Sequence, residues 1–197
     1  MIELTRINKK HHGRTRLRFN TGQTLDVPSP VLGELDLQEG KEYQLEKLRE
    51  DVWNQCRELL PERARSHLAR YTKTTGEFEE HFTRKGYPEE IVSEVKEQLK
   101  AEGALDDEGI ARLHVQQRLE NKDYGRQKIM AELREKGIES GKARNLVDEI
   151  YPIELEHEKA REYRNDHEDL ATRKLISRLK SRGFKQSTIR DVVGYPE

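Results

Sequence analysis

The chain has one cysteine, one tryptophan, two methionines and only 6% aromatic residues among its 197. A single thiol, Cys56, excludes an internal disulfide and fits a reducing compartment. Hydrophobic residues make up 32%, which argues against one large core and for several small ones in series. Apolar runs are a few residues long, too short to span a bilayer. The opening stretch MIELTRINKKHHGR lacks the apolar centre of a secretory signal, so a cytosolic chain with no membrane partner is expected. An excess of one charge is also missing: 37 Lys and Arg face 38 Asp and Glu, for a formal net charge of −1. The molecule as a whole is therefore no general trap for polyanions. What it has in abundance is charge of both signs, 38% of residues against about 25% in an average globular chain.

Three short stretches repeat: RKGY, EKGI and SRGF, centred on Gly86, Gly137 and Gly183. Phe82, Leu133 and Leu179 each stand four residues before their glycine. Helical i, i+4 pairs precede them: Phe78 with Phe82, Ile129 with Leu133, Leu175 with Leu179. A second apolar face follows each glycine, carried by Ile91, Val95 and Leu99, then Ala143, Leu146, Val147 and Ile150, then Ile189, Val192 and Val193. A third lies upstream, with Ala64 and Leu68, then Ile110, Ala111, Val115 and Leu119, then Leu155 and Ala160. A glycine enters the left-handed conformation that ends a helix without steric cost, so Gly86, Gly137 and Gly183 read as structural caps. Lys85, Lys136 and Arg182 just before them are either partners of the helix dipole or binding residues.

The pattern predicts a mainly α chain of tandem three-helix-bundle repeats, elongated, behind a small N-terminal region containing a β-hairpin. The expected divisions are a strand-rich extension over 1–45, a connecting helix over 46–60, and three-helix repeats over 61–102, 103–151 and 152–197. Asp106 is the expected N-cap of the next helix, with Leu105 stapling against Ile110, and Asp107 and Glu108 favouring the helix N-terminus rather than forming a site. In the first region RTRLRF and QTLDV alternate around the turn signal NTG. Ile2, Leu4, Tyr43 and Leu45 can add flanking strands, and Ser29-Pro30 opens a helix. Trp53 reads as a packing anchor.

Catalytic constellations are hard to assemble. The sequence has no phosphate loop, dinucleotide turn or paired-cysteine metal motif. His11-His12 is a lone pair on a loop, and Cys56 has no base beside it in sequence. No cofactor and no metal are expected.

The stretch LDDEGIARLHVQQRLENKDYGRQKIMAELREKGI resembles the RecX family of recombination regulators. The likeness rests on Leu105 to Glu108, Ala111, Arg112, Arg118, Tyr124, Gly125, Ile129, Leu133, Lys136 and Gly137. Weaker matches lie at Ala64, Leu68, Ala69, Arg70, Glu77 and Phe78, and from Arg173 to Val193. Thr74 departs from the family, standing where serine is usual. The resemblance implies a non-enzymatic monomer that binds the RecA recombinase filament on single-stranded DNA. It further implies that such a protein lies along the filament groove, mainly inhibits ATP hydrolysis and strand exchange, and blocks filament growth or promotes filament loss.

Charge is segregated in a way that fits such a partner. From Arg6 to Leu25 there are six Lys or Arg and no acid, and from Arg173 to Arg190 seven and no acid. From Glu77 to Glu108, eleven acids face four Lys or Arg. Arg173, Lys174, Arg178, Lys180, Arg182 and Lys185 are thus candidate filament or DNA contacts, with Lys174, Arg178 and Arg182 spaced to share one exposed helix face. Arg118, Lys122, Arg126 and Lys128 of the middle repeat join them. Two other readings stay open: a regulator that binds DNA directly through a helical unit, and a helical-repeat scaffold for another protein.

Overall fold

The structure is a computed structural model, and it describes residues 1–194. The chain divides into two units, Met1–Asp106 and Asp107–Glu197.

The first unit opens with three strands, β1 (Ile2–Lys9), β2 (Arg14–Phe19) and β3 (Thr24–Pro28), then a single-turn helix α1 (Ser29–Leu32) and a short strand β4 (Glu42–Tyr43). They form an antiparallel sheet in the order β3-β2-β1-β4. Leu17 pairs with Leu25 across the hairpin and Ile2 with Tyr43 at the sheet's far side, as the alternation predicts. Strand residues point alternately to the two faces. In β2 this buries Thr15, Leu17 and Phe19 and turns Arg14, Arg16 and Arg18 outward. Arg16 meets Asp26 on β3 in a two-pronged bond of 2.7 and 2.8 Å, and Arg14 approaches the same carboxylate at 3.6 Å. That bond holds the Asp26 carboxyl below its ordinary range. Two cations of the acid-free N-terminal stretch are therefore answered by an acid one residue beyond its end.

Helix α2 (Leu45–Leu68) runs without interruption through Pro61. The connecting helix and the first helix of the first repeat are thus one element of 24 residues, continuous despite the missing proline N–H. Helices α3 (Thr75–Arg84) and α4 (Glu89–Ala101) complete the bundle. Thr74 caps α3: its hydroxyl accepts from Glu77 N–H while the Glu77 carboxylate accepts from Thr74 N–H. Leu4, Leu17, Val27, Cys56, Phe78, Ile91 and Leu105 lie in one core, against which Trp53 packs half-buried.

The second unit holds α5 (Asp107–Asn121), α6 (Arg126–Glu135), α7 (Ser140–Ile150), α8 (Ile153–Asn165), α9 (Thr172–Ser181) and α10 (Gln186–Val193). Asp106 stands immediately before α5. One core gathers Val115, Ile129, Leu133, Val147 and Tyr151; another gathers Ala160, Tyr163, Leu179, Phe184 and Ile189. Helix α8 serves both, Leu155 packing against the first and Ala160 lying in the second.

The same stop closes α3, α6 and α9. Gly86, Gly137 and Gly183 sit at φ of +90, +81 and +80°. The N–H of the next residue reaches back five positions, Tyr87 to Phe82, Ile138 to Leu133 and Phe184 to Leu179, at 3.0–3.2 Å. Each glycine N–H bonds three back, to Thr83, Arg134 and Lys180. This is the Schellman arrangement, and it folds the bulky residue after the glycine into the core, leaving Tyr87, Ile138 and Phe184 buried.

An ion pair also recurs at one spacing. Arg65 on α2 bonds Glu102 at the end of α4, and Arg112 on α5 bonds Glu149 on α7, each across 37 residues and at 2.7 Å. Both carboxyls are held low by their arginines.

Candidate nucleic-acid and filament interface

Helix α9 is amphipathic: Leu175 and Leu179 are buried, and the basic residues occupy the remaining surface. A helix advances about 100° per residue, so Arg173, Ile176 and Lys180 share one side while Lys174 and Arg178 lie on another. The first side borders a cavity of about 610 Å³ between α9 and α10, lined by Arg173, Ile176, Lys180, Gln186 and Ile189 among others. Arg173, Lys174 and Lys180 are exposed, and Arg178 and Lys185 are half-buried.

Arg182 departs from the exposed row that its spacing predicts. Its guanidinium lies 4.5 Å from the centre of the Tyr163 ring. It also donates to the Asp123 carbonyl at 3.2 Å and meets the Asp123 carboxylate at 3.7 Å. The side chain is a tether between the α9 terminus and the loop before α6.

Arg126 is a clearer correction. It is buried, with an exposure of 4%, and pairs with Asp148 on α7. A buried guanidinium with a carboxylate partner cannot meet a phosphate on the surface, so Arg126 belongs to the architecture of the unit. Arg118 is engaged with Glu132 at 2.7 Å, a carboxylate that His114 also meets at 2.8 Å. Despite its burial, Glu132 is held below the ordinary carboxyl range by these two partners. Arg118 and Lys128 each stand 5.9 Å from the Tyr124 ring centre, and Lys122 is exposed. The structure thus groups Arg118, Lys128 and Arg182 around the 122–125 loop and separates them from Arg173 and Lys180.

Sequence reasoning missed what joins the two bundles. Gly125 N–H donates to the Arg182 carbonyl at 2.9 Å and Gln127 N–H to the Gly183 carbonyl at 3.1 Å. Beside them the buried Glu156 carboxylate accepts from Arg126 N–H at 2.8 Å and from the Thr188 hydroxyl at 2.9 Å. The one available signal was an acid, Glu156, on the apolar face of α8, between Leu155 and Ala160.

Cys56 is buried, and burial pushes its thiol up to about 12, which leaves it protonated and unreactive. Among the described residues no group of three or more His, Cys, Asp or Glu is placed to hold a metal ion. No described helix is long and apolar enough to cross a membrane.

Comparison with known proteins agrees with the three-helix architecture. Residues 106–144 match the family model described as RecX, second three-helix domain. The Regulatory protein RecX of Mycolicibacterium smegmatis is 31% identical over 170 residues, covering 80% of this chain and 86% of that protein. The chain belongs to the RecX family. Two solved structures share the RecX fold. A crystal structure of regulatory protein RecX aligns with a TM-score of 0.63 at 19% identity, over 99% of this chain and all of the other. RecX from Lactobacillus salivarius aligns at 0.62 and 20% identity, over 71% of this chain and 95% of its own. Tyr124 and Gly125, within the matched residues 106–144, fall at the junction between the bundles, where the backbone opposite Gly125 leaves no room for a β-carbon.

Proposed function

We propose that this chain binds the RecA–single-stranded DNA filament in the cytoplasm and restrains it, lowering its ATPase and strand-exchange activity and its growth, without catalysis of its own. The observation that carries the reading is the acid-free stretch from Arg173 to Arg190, presented with Arg173, Lys174 and Lys180 exposed, in a member of a family of regulatory proteins. Basic groups presented on a folded surface neutralise phosphates and fix orientation on a charged polymer. The buried, protonated Cys56 is consistent with a binding rather than a chemical role.

The test is the DNA-dependent ATPase of RecA with this protein added at substoichiometric ratios. Inhibition that saturates well below one molecule per recombinase subunit is expected. An unchanged rate, with no binding to preformed filaments, overturns the reading.

A further inference from the structure

Unit one carries a second basic site. The C-terminal part of α2 from Leu59, Arg70 in the turn after it, Pro30 of α1, the end of α3 and the turn that follows line an open cleft of about 380 Å³, within the roughly 300–1,000 Å³ range of small-ligand clefts. Arg63, Arg70 and Lys85 border it, Tyr87 and Phe82 supply an aromatic wall, and Glu62 is the one acid among its lining residues. Among the described residues no carboxylate pairs with Arg63 or Lys85, and Arg70 spends its Nε–H on the Ser66 carbonyl at 3.1 Å. A second cavity of about 260 Å³ adjoins at Lys85 and is lined by His12, Gly13, His81 and Arg84, with no acid among them.

Three cations against the single acid Glu62 repel one another, and the neighbouring groups feel that repulsion. Burial and the nearby Arg63 push the Lys85 ammonium down. Burial and the surrounding cations push His67 and His81 down, His81 to about 4, and the Nε2 atoms of both are buried without a partner. Tyr87, pushed up to about 12 by burial, keeps its proton and remains a donor.

We propose that this cavity is a phosphate-ester site, in which Arg63, Arg70 and Lys85 hold the anion against the Tyr87 and Phe82 wall. Arginine forks match the oxygens of a phosphate in pairs, and lysine adds a point charge. An anion seated there relieves the repulsion that the free protein carries. The site is built from residues of the first unit, the α9 residues belong to the second, and the site needs no recombinase, so its test and that of the filament reading fail independently.

The experiment titrates the full chain with inorganic pyrophosphate, with a short oligothymidylate and with an oligoglutamate peptide. Amide resonances of Lys85, Gly86 and Tyr87 and ring resonances of His67 and His81 are followed by NMR. Pyrophosphate is expected to move this set and to raise the histidine titration midpoints. Arg63→Gln with Lys85→Gln is expected to weaken binding by roughly tenfold or more. Arg63→Gln alone, at an exposed position, gives a graded loss if the double variant folds poorly. Competition by the oligothymidylate at the same resonances makes the ligand a strand phosphate; indifference to it makes the ligand a free phosphate ester. Resonances that stay put, shifts unchanged in the variants, or tighter binding of oligoglutamate than of pyrophosphate overturn the proposal.

Discussion

Gly125 and Phe184 approach so closely that a β-carbon on Gly125 would lie 2.2 Å from the Phe184 nitrogen. Gly183 is met in the same way by Lys128, whose nitrogen would lie 2.4 Å from an added β-carbon. Two glycines from different bundles thus let two stretches of backbone touch, and the hydrogen bonds from Gly125 and Gln127 cross at that point. Both collisions are with backbone, which cannot swing aside as a side-chain end can.

Gly125→Ala is therefore expected to destabilise the second unit by about 2 kcal/mol or more, as overpacking does when no rotamer relieves it. Its φ of −75° is open to any residue, so the cost is one of space alone. Chemical denaturation checks this, and a midpoint like that of the parent chain would show that the junction yields freely.

Glu156 supplies the second bond across the same junction. Glu156→Ala leaves the Arg126 N–H and the Thr188 hydroxyl buried without an acceptor. A loss of about 2 kcal/mol or more is expected, since each orphaned buried donor costs about 1–3 kcal/mol. Thr188→Val added to Glu156→Ala removes one of the orphans. The double variant is expected to be more stable than Glu156→Ala alone, which a double-mutant cycle measures directly.

Much of this fold is legible in the sequence, and what is not has a physical reason. The helical class, the hairpin and the repeat signature depend on contacts within a few residues: Phe82 with Tyr87, or Leu17 with Leu25. Glycine followed by a bulky apolar residue carries that information by itself. The fates of Arg126 and Arg182 are decided by Asp148, Asp123 and Tyr163, up to 59 residues away. Spacing by four places Lys174, Arg178 and Arg182 on one helix face, but it cannot say that a tyrosine from another helix covers the last of them. The same holds for Arg63, Arg70 and Lys85, which come together only when α2 packs beside the end of α3.

The histidines of the first unit make its stability depend on pH. His81 falls from an ordinary 6.5 to about 4, chiefly through burial, then through His67, Lys85, Lys73 and Arg84. His67 on α2 and Arg70 in the turn after it add no negative charge, and the acids of α3, Glu77, Glu79 and Glu80, are engaged by Thr74, Lys96 and Arg84. Between pH 6.5 and about 4 the unfolded chain binds a proton here that the folded chain refuses. Stability therefore rises with pH across that window and is lost as the pH falls. Thermal melts from about pH 7.5 to about 4.5 are expected to show that decline, and His81→Phe to flatten it. A parent chain equally stable at both ends would exclude a neutral His81 with its Nε2 atom buried.

The basic surface of α9 divides into residues that are free to bind and one that holds the unit together. Arg173→Ala, Lys174→Ala and Lys180→Ala remove exposed cations, and surface changes of this kind usually cost within about 0.5 kcal/mol each. The triple variant is expected to melt close to the parent chain and to bind filaments more weakly. Its salt dependence should flatten by about 0.7 for each single-strand phosphate that is no longer neutralised. Arg182→Ala is expected to behave oppositely. It removes the stacking on Tyr163 and the bond to the Asp123 carbonyl, so it should cost about 1 kcal/mol of stability and leave the salt slope nearly unchanged. Binding isotherms of both variants at several salt concentrations, read beside their melting curves, separate the two roles. Equal slopes for the parent chain and the triple variant would move the filament-binding surface off α9 altogether, and Arg118, Lys122 and Lys128 around Tyr124 would be the next residues to substitute.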